Sequence, residues 1–309
     1  MHMHYRILCI CIIILGNSTI TAFSFKKLYT SLIPGKMQQE VIFEEHASQK
    51  ASLVTVKNTC GNITIKTDTN HDMIFLKAVK KAYEKEDLPK LTFNYAVHGQ
   101  EIILETSFDA QLINGSIDFE LIVPQKLAVN VHANDGLIKV CQSYCPVRAS
   151  TDKGSIEIVS AHNSVDAVTH QKGAITFYNP ESRIKAQTNN GNIMIIDAQS
   201  SIAANTNYGS IELFAKEIPS TSSIKLATNS GSIVLHLPPD VNADLQASTK
   251  YGVITSDHYI TLKPHTTQLN RTTWKRLQKE VDGTLGSGEA QITVSSVRSD
   301  IKLLETKIS

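Results

Sequence analysis

Charge of one sign, bulky aromatics and long apolar runs are all scarce in this chain. Thirty Lys and Arg stand against 29 Asp and Glu, a formal net charge of +1. No global electrostatic pull therefore draws it to nucleic acid or anionic lipid. Aromatic residues make up 6% of the 309 positions, with one tryptophan, while 41% are hydrophobic. Such material suits thin stacked sheets better than a bulky globular core. Five cysteines are too few for a dense disulfide framework. Nine prolines and 15 glycines do not signal disorder.

One apolar run stands out, residues 7–16, and it is too short to span a bilayer. Arg6, with His2 and His4, leads into it, and polar Asn17, Ser18 and Thr19 follow. Residues 1–24 thus read as a signal peptide cleaved after Ala22 or Ser24, with an uncleaved anchor as the rival. Cys9 and Cys11 lie inside the run and not after a lipoprotein box, so no lipid anchor is expected. The expected destination is the periplasm, cell surface or extracellular space, with no transmembrane segment after cleavage.

What the chain does have is one short phrase, repeated. Read from its glycine, it begins as Asp135-Gly136-Leu137-Ile138, Lys153-Gly154-Ser155-Ile156, Lys172-Gly173-Ala174-Ile175 and Asn190-Gly191-Asn192-Ile193. It continues as Tyr208-Gly209-Ser210-Ile211, Ser230-Gly231-Ser232-Ile233 and Tyr251-Gly252-Val253-Ile254. The glycines are 18, 19, 18, 18, 22 and 21 residues apart, and Ile always follows two later. Apolar residues precede the glycine by seven and five, as Ile184 and Ala186 do, and follow it by four, as Ile195 does. Three ahead there is usually threonine: Thr151, Thr188, Thr206, Thr228, Thr249.

Side chains two apart on a strand share a face, so each copy reads as strand, glycine turn, strand, second turn. Asn or Asp commonly stands two ahead of the glycine (Asn134, Asp152, Asn189, Asn207, Asn229). Asparagine and glycine both tolerate positive φ, which places the reversal there. The second turn takes the length variation. Seven residues carry Ile195 to Ile202, but 11 carry Leu213 to Ile224 and 10 carry Leu235 to Leu245.

Like positions recurring in successive units predict a β-solenoid of stacked 18–22-residue coils. Coils about 4.8 Å apart set Ile on Ile, each worth roughly 1.5–3 kcal/mol when fully buried. The alternative is a β-sandwich of hairpins around the Asn-Gly turns. Residues 38–304 are read as a single solenoid domain. Its parts are an irregular N-terminal segment (38–131), regular coils (132–256), an insertion (257–290) and a terminal coil (291–304).

Gly61, with Val54, Val56, Ile63 and Ile65, already fits the coil pattern. Gly115-Ser116-Ile117 echoes the phrase but runs into Leu121-Ile122-Val123-Pro124, and reads as a lead-in strand. Residues 84–88 suit a short helical turn stopping before Pro89. In the insertion, Asn270 caps an expected helix with Trp274, Leu277 and Val281 on one face and Gly283 at its end. The terminal coil returns as Ile292, Val294, Ser296, Ile301 and Leu303, with Ser299 in the glycine's place.

These x-Gly-x-Ile turns, the Leu121-Ile122-Val123-Pro124 strand and the closing Gly286-Ser287-Gly288-Glu289-Ala290-Gln291-Ile292 resemble a bacterial family labelled putative adhesin. That family is a domain of unknown function in envelope proteins, and the likeness covers residues 38–304. It implies a β-solenoid-like, exported, non-enzymatic protein and carries over no functional residue. Ser299, where the family keeps glycine, and the insertion before it are departures.

Sugar chemistry on a β-helix needs carboxylates or metal ligands converging from neighbouring coils. Three places after the glycine stand Lys139, Glu157, Thr176, Met194, Glu212, Val234 and Thr255. Its two carboxylates are three coils, about 14 Å, apart. No catalytic residue, metal or cofactor is expected, and a carbohydrate-active enzyme is the minor alternative. His258 with His265, and His162 with His170, lack metal-site spacing and read as solvated turn residues. Gly283-x-x-Gly286-x-Gly288 has no phosphate-loop lysine after it. Lys77, Lys80, Lys81 and Lys85 read as a solvated strand and turn face, with a glycan or anionic partner as the alternative.

Cys141 and Cys145 bracket one second turn, where a disulfide fits an oxidising compartment, leaving Cys60 odd. The turn glycines Gly61, Gly136, Gly154, Gly173, Gly191, Gly209, Gly231 and Gly252 are read as structural. The expected role is binding a glycan or another envelope or surface protein. The longer corners, residues 215–221 and 238–242, are expected to neighbour each other and form the binding patch. A structural, self-assembling spacer is the alternative.

Overall fold

The structure is a computed structural model that describes residues 9–11, 25–31, 37–48, 50–69, 71–108, 114–263 and 279–306. The chain is an all-β solenoid in two compact units, Met1–Gly154 and Ser155–Ser309.

In Ser155–Ser309 the coils lie parallel and in register. First strands Val165–Lys172, Ile184–Asn190, Ile202–Tyr208 and Ser223–Ser230 pair in sequence order. Second strands Ile156–Val159, Ile175–Tyr178, Ile193–Ile196, Ile211–Phe214 and Ile233–Leu237 do the same in another sheet. Ile184 stands on Ile202 and Ile202 on Ile224, and Ile193 on Ile211 and Ile211 on Ile233, all buried. Hairpins would zip each strand to its successor, whereas the two strands of each coil belong to different sheets. That removes the sandwich alternative.

In Ser155–Ser309 the last coil departs from sequence order. Ala290–Ser296 pairs with Ser223–Ser230 on one side and Ala243–Thr249 on the other. Likewise Ile301–Glu305 lies between Ile233–Leu237 and Ile254–Ser256. The coil that comes last in the chain is therefore intercalated beneath the Gly252 coil. Its inward residues hold the predicted register, with Ile292 opposite Ile224 and Leu303 opposite Leu235. Periodicity cannot rank the coils, because each offers the same inward column to its neighbours.

Beyond the Gly252 coil, Glu280–Leu285 runs antiparallel to Ala243–Thr249, and Thr261–Leu262 runs antiparallel to it in turn. This corrects the expected end of the helix, at Val281 and Gly283, which are strand. Val281 and Leu285 are buried at alternate strand positions. A Cβ at Gly283 would lie 2.7 Å from the Thr261 carbonyl oxygen, so the glycine admits a neighbouring strand instead of ending a helix. Asn270, Trp274 and Leu277 lie outside the described residues.

In Met1–Gly154 the Gly61 coil (Leu53–Cys60 and Ile63–Asp68) pairs parallel with the Gly136 coil (Ala128–Asp135 and Ile138–Cys141). Val147–Lys153 extends the first-strand sheet. On its other side the Gly61 coil meets Glu101–Thr106 and Gly115–Pro124, which come later in the chain. Here too stacking overrides sequence order. The outer layers are antiparallel: Phe93–His98 on Glu101–Thr106, and Met73–Ala82 on Gly115–Pro124, with Gln38–Ala47 beyond.

Phe25–Ser31 and then Cys9–Cys11 add antiparallel to Gln38–Ala47. The other residues of the expected leader lie outside the described ones. The turn expected to stop before Pro89 is a 3-10 helix, Lys85–Lys90, that includes it. Buried Leu88 anchors that turn, and the Leu91 N–H closes it on the Asp87 and Leu88 carbonyls. Among the described residues no helix is long and apolar enough to cross a membrane.

Candidate binding face

Close backbone approach builds the glycine corners. A Cβ on Gly191, Gly209 or Gly231 would lie 1.9, 2.0 or 2.0 Å from the carbonyl oxygen of the glycine one coil before. In Met1–Gly154, Gly136 faces the Gly61 carbonyl at 2.1 Å and Gly154 faces that of Gly136 at 2.0 Å. Gly61 itself faces the Ile117 carbonyl at 2.2 Å, and Gly252 faces that of Ser299 at 2.1 Å. Gly61, Gly136, Gly154, Gly173 and Gly231 also have φ between 120° and 158°.

The buried threonines answer those carbonyls. Thr188 Oγ1 donates to Gly173 O at 3.1 Å, Thr206 to Gly191 O at 3.0 Å and Thr228 to Gly209 O at 3.0 Å. At the Gly61 coil Asn58 does this work, its Nδ2 donating to Gly61 O at 3.0 Å and Ile117 O at 2.8 Å. Ser299 fits the column by another route. Its Oγ accepts the Gly231 N–H at 3.0 Å, where the Gly209 N–H uses the Ser230 carbonyl at 2.9 Å.

The asparagines two ahead of the glycine are not where the chain reverses, which corrects that expectation. They occupy extended strands with exposed side chains. Asn207 Nδ2 donates to Asn189 Oδ1 at 2.9 Å, and Asn229 Nδ2 to Asn207 Oδ1 at 3.1 Å, forming an amide ladder along the stack. Non-glycine positive φ falls in the second turn instead. There Gln142, Ser160, Asn179 and Asp197, with φ of 48–56°, each stand one residue past a second strand.

The ladder borders a trough on the outer face of the first-strand sheet of Ser155–Ser309. Its larger part holds about 530 Å³ between Asn205, Asn207 and Asn229 and an end formed by Lys250, Lys279 and Glu280. It continues as a hollow of about 230 Å³ floored by Ala203, Ala227 and Ser295, with Lys185 and Lys225 alongside. Lys279 Nζ donates to the Tyr251 carbonyl at 3.0 Å and to that of Gly252. Lys250 Nζ stands 5.2 Å from the Tyr251 ring centre. Sequence reasoning missed this trough. The available signals were the asparagine column and the small outward residues Ala203, Ala227 and Ser295.

The residues singled out in the sequence do not converge on one centre. Glu157 and Glu212 share the outer second-strand face with Thr176 and Met194 between them, and Glu212 is hydrogen-bonded to His236 at 3.2 Å. His162 is bonded to Glu181 at 2.7 Å and His258 to the Leu304 carbonyl at 3.3 Å, while His170 is exposed on a strand and His265 lies outside the described residues. Among the described residues no group of three His, Cys, Asp or Glu could hold a metal. Lys77 pairs with Glu120 at 2.8 Å and Lys81 with Asp118, whereas Lys80 is buried beside Glu40 at 3.4 Å rather than solvated.

No disulfide joins Cys141 to Cys145. Cys141 follows inward Val140 at an outward position. Hydrogen bonds from Ser143 Oγ to the Cys145 carbonyl at 2.7 Å, and from Thr67 Oγ1 to the Gln142 carbonyl, hold that corner. Burial pushes the Cys145 thiol pKa up. Burial does the same to Cys60, followed by the charges of Asp135 and Asp118, so neither is poised as a thiolate.

Corners 215–221 and 238–242 begin side by side, the Ala215 N–H donating to the His236 carbonyl at 2.9 Å. They then part, because Gln291 and Ala290 come between Ser222 and Asn242, at 3.1 Å from each carbonyl. The intercalated last coil is the cause, and the expected continuous patch is corrected to two separate corners. The glycine-rich stretch 286–288 wraps Asn242, whose Oδ1 accepts the Ser287 N–H at 3.0 Å.

Among solved structures, a putative adhesin from Bacteroides fragilis NCTC 9343 matches over 85% of this chain and 97% of that one, at 13% identity and a TM-score of 0.49. A putative cell adhesion protein from Clostridium sporogenes ATCC 15579 matches over 87% and 100%, at 11% identity and a TM-score of 0.27. A putative adhesin from Parabacteroides distasonis ATCC 8503 matches over 87% and 98%, at 10% identity and a TM-score of 0.26. No curated protein matches the chain. The family model described as Toastrack DUF4097 matches residues 45–304, nearly the whole of the stack, and the chain belongs to that family.

Proposed function

We propose that this protein is a non-enzymatic, adhesin-like binding protein of the cell envelope or surface, and that its trough holds an extended glycan. The trough carries the reading: about 530 Å³ continuing into a further 230 Å³, along the outer face of the first-strand sheet. Amide and hydroxyl side chains supply the donors and acceptors that sugar hydroxyls need, and the small floor residues let a chain lie close. The amide ladder already fixes Asn207 and Asn229, which lowers the entropic cost of capture. The separation of Glu157 from Glu212 supports binding without chemistry. The apolar run in residues 7–16 supports export.

A panel of immobilised polysaccharides, probed with purified protein, tests the reading. Ala227→Arg fills the trough floor from an outward strand position and should abolish the binding seen with wild type. Deleting corner residues 217–220 should leave it intact. Loss on corner deletion with A227R unaffected would move the site to the corners. Absence of binding to every glycan would remove the proposal.

A further inference from the structure

We infer that the trough selects an anionic glycan, one bearing uronate, sulfate or phosphate groups, an inference that rests on the trough being the ligand site. Lys185, Lys225, Lys250 and Lys279 line it against one lining carboxylate, Glu280. The whole chain carries a formal charge of only +1, so this excess is local. Two of the four lysines are engaged by the protein. Lys279 is held by the Tyr251 and Gly252 carbonyls, and Lys250 lies over the Tyr251 ring.

Lys185 and Lys225 differ from these. They stand in one outward column with Ala203 between them, which puts their backbones about 10 Å apart by the strand spacing. Asp166 is one rung from Lys185. Its Oδ1 is buried without a hydrogen-bond partner, so that oxygen does not cap the ammonium. Farther along this face Asp244 and Asp282 are both paired with Lys263, at 3.4 and 3.6 Å. Two cations separated by an alanine floor cannot neutralise each other. A polymer whose negative charge recurs along its length meets both while its sugar faces lie on Ala203 and Ala227. A neutral chain gains neither contact, and the positive trough also speeds encounter with the charged one.

Two matched pairs of probes separate charge from sugar: polygalacturonate with its methyl ester, and dextran sulfate with dextran. Binding by the full protein is measured at low salt and in half-molar sodium chloride. The charged member of at least one pair should bind ten-fold or more tighter than its neutral partner, and high salt should erase that margin. The double variant Lys185→Gln/Lys225→Gln should lose about ten-fold toward the charged probe and nothing toward the neutral one, with an unchanged circular dichroism spectrum. Equal binding of both members overturns the charge selection while leaving the glycan reading in place. Equal binding of single-stranded DNA of matched charge also overturns it, since the trough would then take any polyanion. No binding of either charged probe, with a neutral glycan bound in the wider panel, overturns it as well.

Discussion

Within each coil the two corners obey different rules. At the glycine corner, adjacent windings approach so closely that an added Cβ would come within about 2 Å of a carbonyl oxygen in both units. At the second corner the chain takes positive φ on Gln142, Ser160, Asn179 and Asp197 and closes with side-chain bonds such as Lys216 to Asp197 at 2.6 Å. The first corner keeps its glycine in all the coils but the terminal one, where Ser299 stands, because contact between backbones sets it. The second varies in length because it borders water. A constant motif in a stacked fold therefore reports packing between windings, and the place to look for a partner is where packing relaxes its hold.

The sharpest test of that contrast is to load both corners. Gly209→Ala places a methyl 2.0 Å from the Gly191 carbonyl oxygen. Windings fixed by parallel ladders on both sides cannot separate locally, so a loss of about 3 kcal/mol or more is expected. Two glycines inserted between Glu217 and Ile218 lengthen an exposed corner and should cost under about 0.6 kcal/mol. Urea unfolding of the two variants compares them directly. Similar losses would mean the corners are not different in kind.

A smaller effect should follow from the hydroxyls that serve the glycine carbonyls. Thr206→Val keeps shape but removes the donor to Gly191 O at 3.0 Å. A buried carbonyl left without its partner costs about 1–3 kcal/mol. Thr221→Val, on an exposed second corner, should stay within about 0.5 kcal/mol of wild type. If Thr206→Val proves as mild as Thr221→Val, the threonine column is packing alone.

The same contrast explains what the sequence made legible. Inward positions such as Ile193, Ile211 and Ile233 are constrained identically in every winding, so their period is plain in the chain. The glycines were legible as a motif, but their requirement was read as turn conformation. Gly191 and Gly209 show that space is the common need, and that depends on the neighbouring winding rather than on local sequence. Winding order was hidden for the related reason that Ile292 fits beside Ile224 as well as any sequence-adjacent residue would. Val281 was misassigned because its apolar spacing from Trp274 and Leu277 matched a helix, while its strand partner, Ala247, is remote in the chain. The trough was missed because outward positions such as Ala203 and Ser295 carry no repeating constraint from the core, which left the asparagine column as its one periodic signal.

The finest test lies in the second corner alone, where backbone conformation acts without crowding. Ser160 has φ of 53° and Asn179 has φ of 48°, and both retain their backbone N–H bonds, to the Tyr178 and Ile196 carbonyls at 2.8 and 2.9 Å. A left-handed serine costs about 1–2 kcal/mol, and glycine relieves that while adding about 0.5–1 kcal/mol of unfolded-state entropy. Ser160→Gly should therefore stabilise by roughly 0–1.5 kcal/mol, with a midpoint near 0.75, the difference of those two effects. Asn179→Gly should change little, because asparagine already tolerates the conformation through its short polar side chain. Thermal unfolding of the pair resolves the difference. A destabilised Ser160→Gly would show that side-chain contacts, not backbone conformation, fix the residue there, and the second corner would then be governed by packing as the first is.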